Sequence, residues 1–218
     1  MNMIRALALA CLLAAPAAGH EARFLAFDLP IPLGTYQVVP PGEDTARAKP
    51  VEIAANRFSE RLRLSAGVHR LLLPDGKTGP SFTVAGDAKR TLFLVLPAAD
   101  GPVGLAAVPD DRGEFGPGER WFLNVTPGEI RVQFGERNLR LPPGTGNREK
   151  APAKLDEGRI PVRMLVQKNE RWVPFNSTWW PHDPGVRSIV VIHPHPKNGL
   201  PLVKNIAEPA AEEEAAAR

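Results

Sequence analysis

Five histidines, His20, His69, His182, His193 and His195, are the side chains here best suited to hold a metal or move a proton near neutral pH. His193 and His195 are two apart, so on a strand both project to one face, a candidate pair of metal ligands. His182 cannot complete that pair. An extended chain running to His193 places it roughly 20 Å or more away at about 3.3 Å per residue. The competing reading of His193-Pro-His195-Pro is a polar, proline-punctuated strand end. His20 offers a different chemistry. If a leader is removed after Gly19, the chain starts at His20, and a terminal amine plus imidazole can chelate copper. The alternative for His20 is an unstructured N-terminus.

The second resource is aromatic. All four tryptophans lie in the second half, in RWFLNV and RWVPFNSTWWPHDPG. Trp179 and Trp180 are adjacent, so strand alternation sends them to opposite faces. One is expected in a core and the other at the surface, next to Trp172 or Phe175. An exposed tryptophan marks a partner or sugar surface. Trp172, Trp179 and Trp180 are therefore the candidate binding residues, carried on a hairpin expected from Trp172 to His193. The alternative is that the other half of the chain covers this hairpin and both rings are buried.

No catalytic residue and no cofactor are assigned. The sequence has no G-x-S-x-G elbow, H-E-x-x-H metal site, G-x-G-x-x-G fingerprint or phosphate loop. Asp110-Asp111 and Glu212 to Glu214 read as turn and tail charges. Asn124-Val-Thr126 and Asn176-Ser-Thr178 match the glycosylation acceptor pattern. The net charge of +3 is spread along the chain with acidic and basic residues interleaved, so nucleic acid is not an indicated partner.

These groups must be positioned by a fold, and composition points to its class. The chain has 24 prolines in 218 residues, about twice the usual ~5%. Proline interrupts helices and ends strands, and the apolar stretches between are short, so the expectation is an all-β protein. Residues 1–19 read as a signal peptide: Arg5, then an uncharged apolar run from Ala6 to Ala15, then small residues. That run is shorter than the ~20 residues a bilayer span needs, and no later stretch comes closer, so no membrane span is expected. The single cysteine, Cys11, lies within it; a lipidated cysteine would normally end the run instead.

The remainder contains an internal repeat. Glu52 to Gly67 (EIAANRFSERLRLSAG) aligns without a gap on Glu129 to Gly144 (EIRVQFGERNLRLPPG), which puts Leu62 and Leu64 in the places of Leu139 and Leu141. Lys89 to Leu105 aligns on Val186 to Leu202, matching Arg90 with Arg187 and Pro97 with Pro194. Both members of the first pair are expected to be strands, because Ile130, Val132 and Phe134 alternate with polar residues. Thr91–Leu96 and Ile189–Ile192 are apolar on both faces, which predicts central, doubly covered strands.

The reading is thus two tandem, related, Ig-like β-sandwich halves at 20–112 and 118–208, joined by 113–117, with a frayed tail over 209–218. The V/I-x-V start, polar turn, L-x-L-x-x-G and closing apolar strands resemble secreted tandem β-sandwich repeat proteins of unknown function in bacteria, a resemblance that implies no activity and no site residues. The function expected from all this is an exported, non-enzymatic module of the cell envelope, periplasmic or extracellular, binding an envelope protein or glycan. A copper protein using His20 or the His193/His195 pair stands second, and an enzyme without a recognisable motif third.

Overall fold

A computed structural model describes residues 19–27, 31–42, 45–86, 90–98, 101–195 and 197–210. The expected signal segment, apart from Gly19, lies outside them, with Cys11 and residues 211–218. The described chain is all-β. Eight strands fill its first part: β1 (His20–Ala26), β2 (Gly34–Val39), β3 (Lys49–Ile53), β4 (Leu62–Leu64), β5 (Gly67–Leu72), β6 (Thr78–Val84), β7 (Arg90–Ala98) and β8 (Gly101–Pro109). Eight more follow: β9 (Glu119–Asn124), β10 (Ile130–Phe134), β11 (Arg137–Leu141), β12 (Gly146–Lys150), β13 (Arg159–Lys168), β14 (Arg171–Pro181), β15 (Val186–Pro194) and β16 (Pro201–Pro209). One short 3-10 turn, Thr45–Arg47, is the only helical element among the described residues.

The strands form four sheets of four, ordered β4-β1-β7-β8, β3-β2-β5-β6, β12-β9-β15-β16 and β11-β10-β13-β14. The last two orders repeat the first two with every strand number raised by eight. The parallel pairing of β1 with β7 recurs as β9 with β15, in an otherwise antiparallel scheme. Three apolar clusters show how the sheets stack. One lies between β3-β2-β5-β6 and β4-β1-β7-β8, built around Phe24, Tyr36, Phe82 and Phe93. A second lies between β12-β9-β15-β16 and β11-β10-β13-β14, around Phe122, Phe134 and Met164. The third joins the two inner sheets, with Leu25, Phe27, Leu92 and Leu94 facing Leu123, Ile189 and Val191. The result is a stack of four sheets whose two inner members are covered on both faces. Strands β7 and β15 carry continuous apolar runs for that reason: alternate residues serve two cores, as the sequence predicts for Thr91–Leu96 and Ile189–Ile192.

Three expectations need correction. The strand equivalent to β11 in the repeated order is β3, and the one equivalent to β12 is β4. Leu62 and Leu64 on β4 therefore do not occupy the places of Leu139 and Leu141 on β11. The gapless alignment slipped by one strand, because successive edge strands share the same alternating pattern. Nor is Glu52 to Leu64 one strand. It leaves β3 at Ile53, and Asn56 and Ser59 donate backbone hydrogen bonds to Ala26 and Phe24 before β4 begins. Finally, Trp172 to His193 is not a hairpin. β14 pairs with β13 through a two-residue turn, Asn169 and Glu170, both at positive φ as a type I′ turn requires. β15 pairs with β9 and β16. The turn from Pro181 to Gly185 crosses from one sheet to the next.

Candidate functional site

The tryptophans divide by strand alternation. On β14, Trp180 sits opposite Ile160 and faces inward. Its ring stacks on Phe122 with centroids 6.0 Å apart and planes at 13°. Trp179 points the other way and is 48% exposed. A bulge opposite Met164/Leu165 resets the alternation further along β14. Beyond it Trp172 is half-buried under the Arg131 guanidinium, which lies 3.9 Å from the ring centroid. Arg131 alternates with the buried residues of β10, so this contact places Trp172 on the outer face of β11-β10-β13-β14, the face that also carries Trp179. The two rings stand seven residues apart on one strand, roughly 20 Å at about 3.3 Å per residue. Beside Trp179, Gln133, Pro161, Arg163 and Ser177 line a shallow groove of about 290 Å³. The outer face thus combines exposed aromatic surface with guanidinium and amide groups on one sheet.

The histidines sit on different elements, apart from His193 and His195 at the end of β15. His20 opens β1, opposite Leu64, and is buried rather than lying in an unstructured terminus. His193 is buried at the end of β15 and its Nδ1 lies 3.1 Å from the Pro194 carbonyl oxygen. Burial pulls its pKa down, with Lys204 and His195 adding to the effect and the Pro194 contact opposing it. His195 lies beyond the strand and accepts a hydrogen bond from the Lys197 amide at 3.0 Å. Among the described residues no three His, Cys, Asp or Glu side chains converge as metal ligands.

Two groupings were invisible in the sequence. The first is ionic and lies where the inner sheets meet. Arg23 on β1 donates to Asp110 at 2.8 and 2.6 Å and to Glu208 at 2.8 Å. Arg187 on β15 donates to the same Asp110 at 2.6 Å, to Glu208 at 2.9 Å and to the Phe115 carbonyl at 3.0 Å. Arg61 reaches Asp110 at 2.6 Å from a more open position. Burial would raise the Asp110 pKa, but the hydrogen bond from Arg23 and the charges of Arg23, Arg187 and Arg61 outweigh it and hold the carboxyl below its usual range. This cluster ties the first eight strands to the last eight.

The second grouping is a cleft of about 750 Å³ between the facing sheets of the second sheet pair. Arg120, Asn176, Trp180, His182, Ser188 and Asn205 are among the residues that line it. The glycosylation patterns resolve here as well. Asn124 is fully buried, donates to the Gly128 and Leu141 carbonyls and accepts from Thr126, so its amide is committed to the fold. Asn176 lines the cleft.

No protein-family model and no curated protein matches the sequence. Among solved structures, the chain is similar to a DUF3823 family protein from Bacteroides ovatus, at 13% identity over 75% of this chain and 97% of that one, with a TM-score of 0.26. At that degree of likeness, what the chain does has to be argued from its own residues.

Proposed function

We propose that the chain is an exported, non-enzymatic module of two duplicated, Ig-like sandwich halves, which binds a cell-envelope protein or glycan through the outer face of β11-β10-β13-β14. The observation that carries the reading is the pair Trp179 and Trp172 on one exposed sheet face, flanked by Arg131, Arg163 and Gln133. An aromatic ring beside guanidinium and amide groups suits both a sugar ring with hydroxyls and a protein hot spot. Duplication is supported by the repeated strand order, including its one parallel pairing. The inner apolar cluster and the ionic cluster join the first eight strands to the last eight.

Export rests on the pattern of residues 1–19. N-terminal sequencing of the mature protein tests it: a start between Ala18 and His20 supports export, and an intact Met1 or an acylated Cys11 contradicts it. The binding claim is tested by comparing parent and Trp179→Ala for retention on purified envelope polysaccharide and on solubilised envelope proteins.

A further inference from the structure

Arg120 lines this cleft and carries a buried charge that the fold does not neutralise. It is 7% exposed. Its Nη2 donates to the Pro181 carbonyl at 2.6 Å, and its guanidinium lies 5.4 Å from the Phe134 ring and 5.8 Å from the Trp180 ring. Among the described residues no carboxylate pairs with it. Its cross-strand neighbour Glu149 is engaged instead by Arg137 at 2.6 Å. Burial pulls the Arg120 pKa down with nothing opposing it, yet a guanidinium stays charged at any physiological pH. Buried charges are otherwise paired, as Arg23 and Arg187 are in this same protein.

The repeat sharpens the point. Arg120 pairs with Ser188 on the parallel neighbour β15 as Ala22 pairs with Thr91 on β7. The equivalent place in the first half is thus a small core residue, fully buried. There the edge strands β6 and β8 approach each other and close the sheet pair. In the second half the edges β14 and β16 make no comparable approach, and the cleft opens between them with Arg120 inside it. The Oδ1 of Asn176, which lines the same cleft, is buried with no hydrogen-bond partner in the protein.

We propose that this cleft is a binding site for a sugar acid, with the carboxylate held by Arg120, hydroxyls by Asn176, Ser188 and Asn205, and the ring against Trp180. The guanidinium fork matches a carboxylate in two hydrogen bonds. The volume lies within the ~300–1,000 Å³ of ordinary small-molecule sites. A monoanion fits the charge. Asp183 at the cleft disfavours a second negative charge, and burial and the Arg120 charge lower the His182 pKa against the pull of Asp183. The site is separate from the outer face that carries Trp179, and the two readings stand or fall independently.

Calorimetric titration of the full chain with D-galacturonate, its trimer, D-galactose and inorganic phosphate tests the proposal. Saturable binding of galacturonate and none of galactose is expected. Binding should weaken at least tenfold in Arg120→Met and at least threefold in Asn205→Leu, a change at an exposed edge position, and stay unchanged in Val68→Ala, a change at an exposed side chain of β5. Arg120→Met should melt no lower than the parent, since it removes an unpaired buried cation. A trimer that binds more tightly than the monomer identifies a uronic-acid polymer as the source, and equal affinity identifies the free sugar acid. No binding of either, binding of galactose as well as galacturonate, tighter binding of phosphate, or binding unaffected by Asn205→Leu and Arg120→Met overturns the proposal.

Discussion

Replacing Asp110 by Asn keeps the shape of the side chain and removes the charge on which three guanidiniums converge. In the native cluster Arg23 and Arg187 share Asp110 and Glu208, and Arg61 joins them at Asp110. After the change Arg23 and Arg187 share Glu208 alone, and Arg61 loses its bond to Asp110. Asp110 is 1% exposed, so solvent cannot compensate. Removing one member of a buried ionic network typically costs about 3–5 kcal/mol, because the partners stay buried and charged. For a chain of this size each kcal/mol moves Tm by about 2–4 °C, so Asp110→Asn should lower Tm by about 6–20 °C. Thermal and urea unfolding followed by circular dichroism give the number. Arg187→Met alone should also destabilise, and the double variant should lose less than the sum of the two, because both changes break the same bonds. A loss below about 1 kcal/mol, or strict additivity, would refute the idea that this cluster holds the inner sheets together.

The other expectations follow from single contacts. Trp180→Ala should cost about 3 kcal/mol, the lower end for an aromatic truncation because the ring is only partly buried, while Trp179→Ala should change stability by less than about 0.5 kcal/mol; urea midpoints decide both. The folded-state pKa of Asp110 lies below its unfolded value of about 3.9, so its contribution is complete above that value and is lost as pH falls through the folded pKa. Stability measured from pH 7 to 2 should therefore drop below about pH 4, and Asp110→Asn should show a shallower drop. Gly67→Ala should destabilise by about 1–3 kcal/mol, because Gly67 has φ of 127° and an added Cβ would sit 2.7 Å from Pro41 Cγ.

How much of this was legible depends on the kind of signal. β7 and β15 announce themselves, since an apolar run on both faces has few explanations outside a covered inner strand. The sequence match between the two parts was legible, yet which strand answers to which was not. The segments ending in Leu62-Arg-Leu64 and Leu139-Arg-Leu141 share an L-x-L pattern that any half-buried strand can show, so matching letters joined β4 to β11. The hairpin expected from Trp172 to His193 failed because Pro181 to Gly185 reads the same whether the chain folds back within a sheet or crosses to the next.

Arg23, Asp110, Arg187 and Glu208 were unreadable as a group. They are separated by up to 185 residues, and each looks like an ordinary surface charge. Arg90 and Arg187 match in the repeat, but Arg90 pairs with the half-exposed Glu21, while Arg187 is buried among the inner sheets. Arg120 was hidden by its neighbour Trp121, which drew attention as an aromatic. Its one available signal was a charge at a position whose alternation with Phe122 and Asn124 makes it inward-facing.

Retention of the parent protein, Trp179→Ala and Trp172→Ala on immobilised envelope polysaccharide and on solubilised envelope proteins, with melting temperatures measured alongside, tests the binding reading most directly. The account predicts that the parent is retained by one of the two, and that Trp179→Ala weakens retention at least tenfold, about 1.4 kcal/mol or more, with its melting temperature unchanged. Retention of both variants equal to the parent's would contradict the claim that this outer face is where the protein binds.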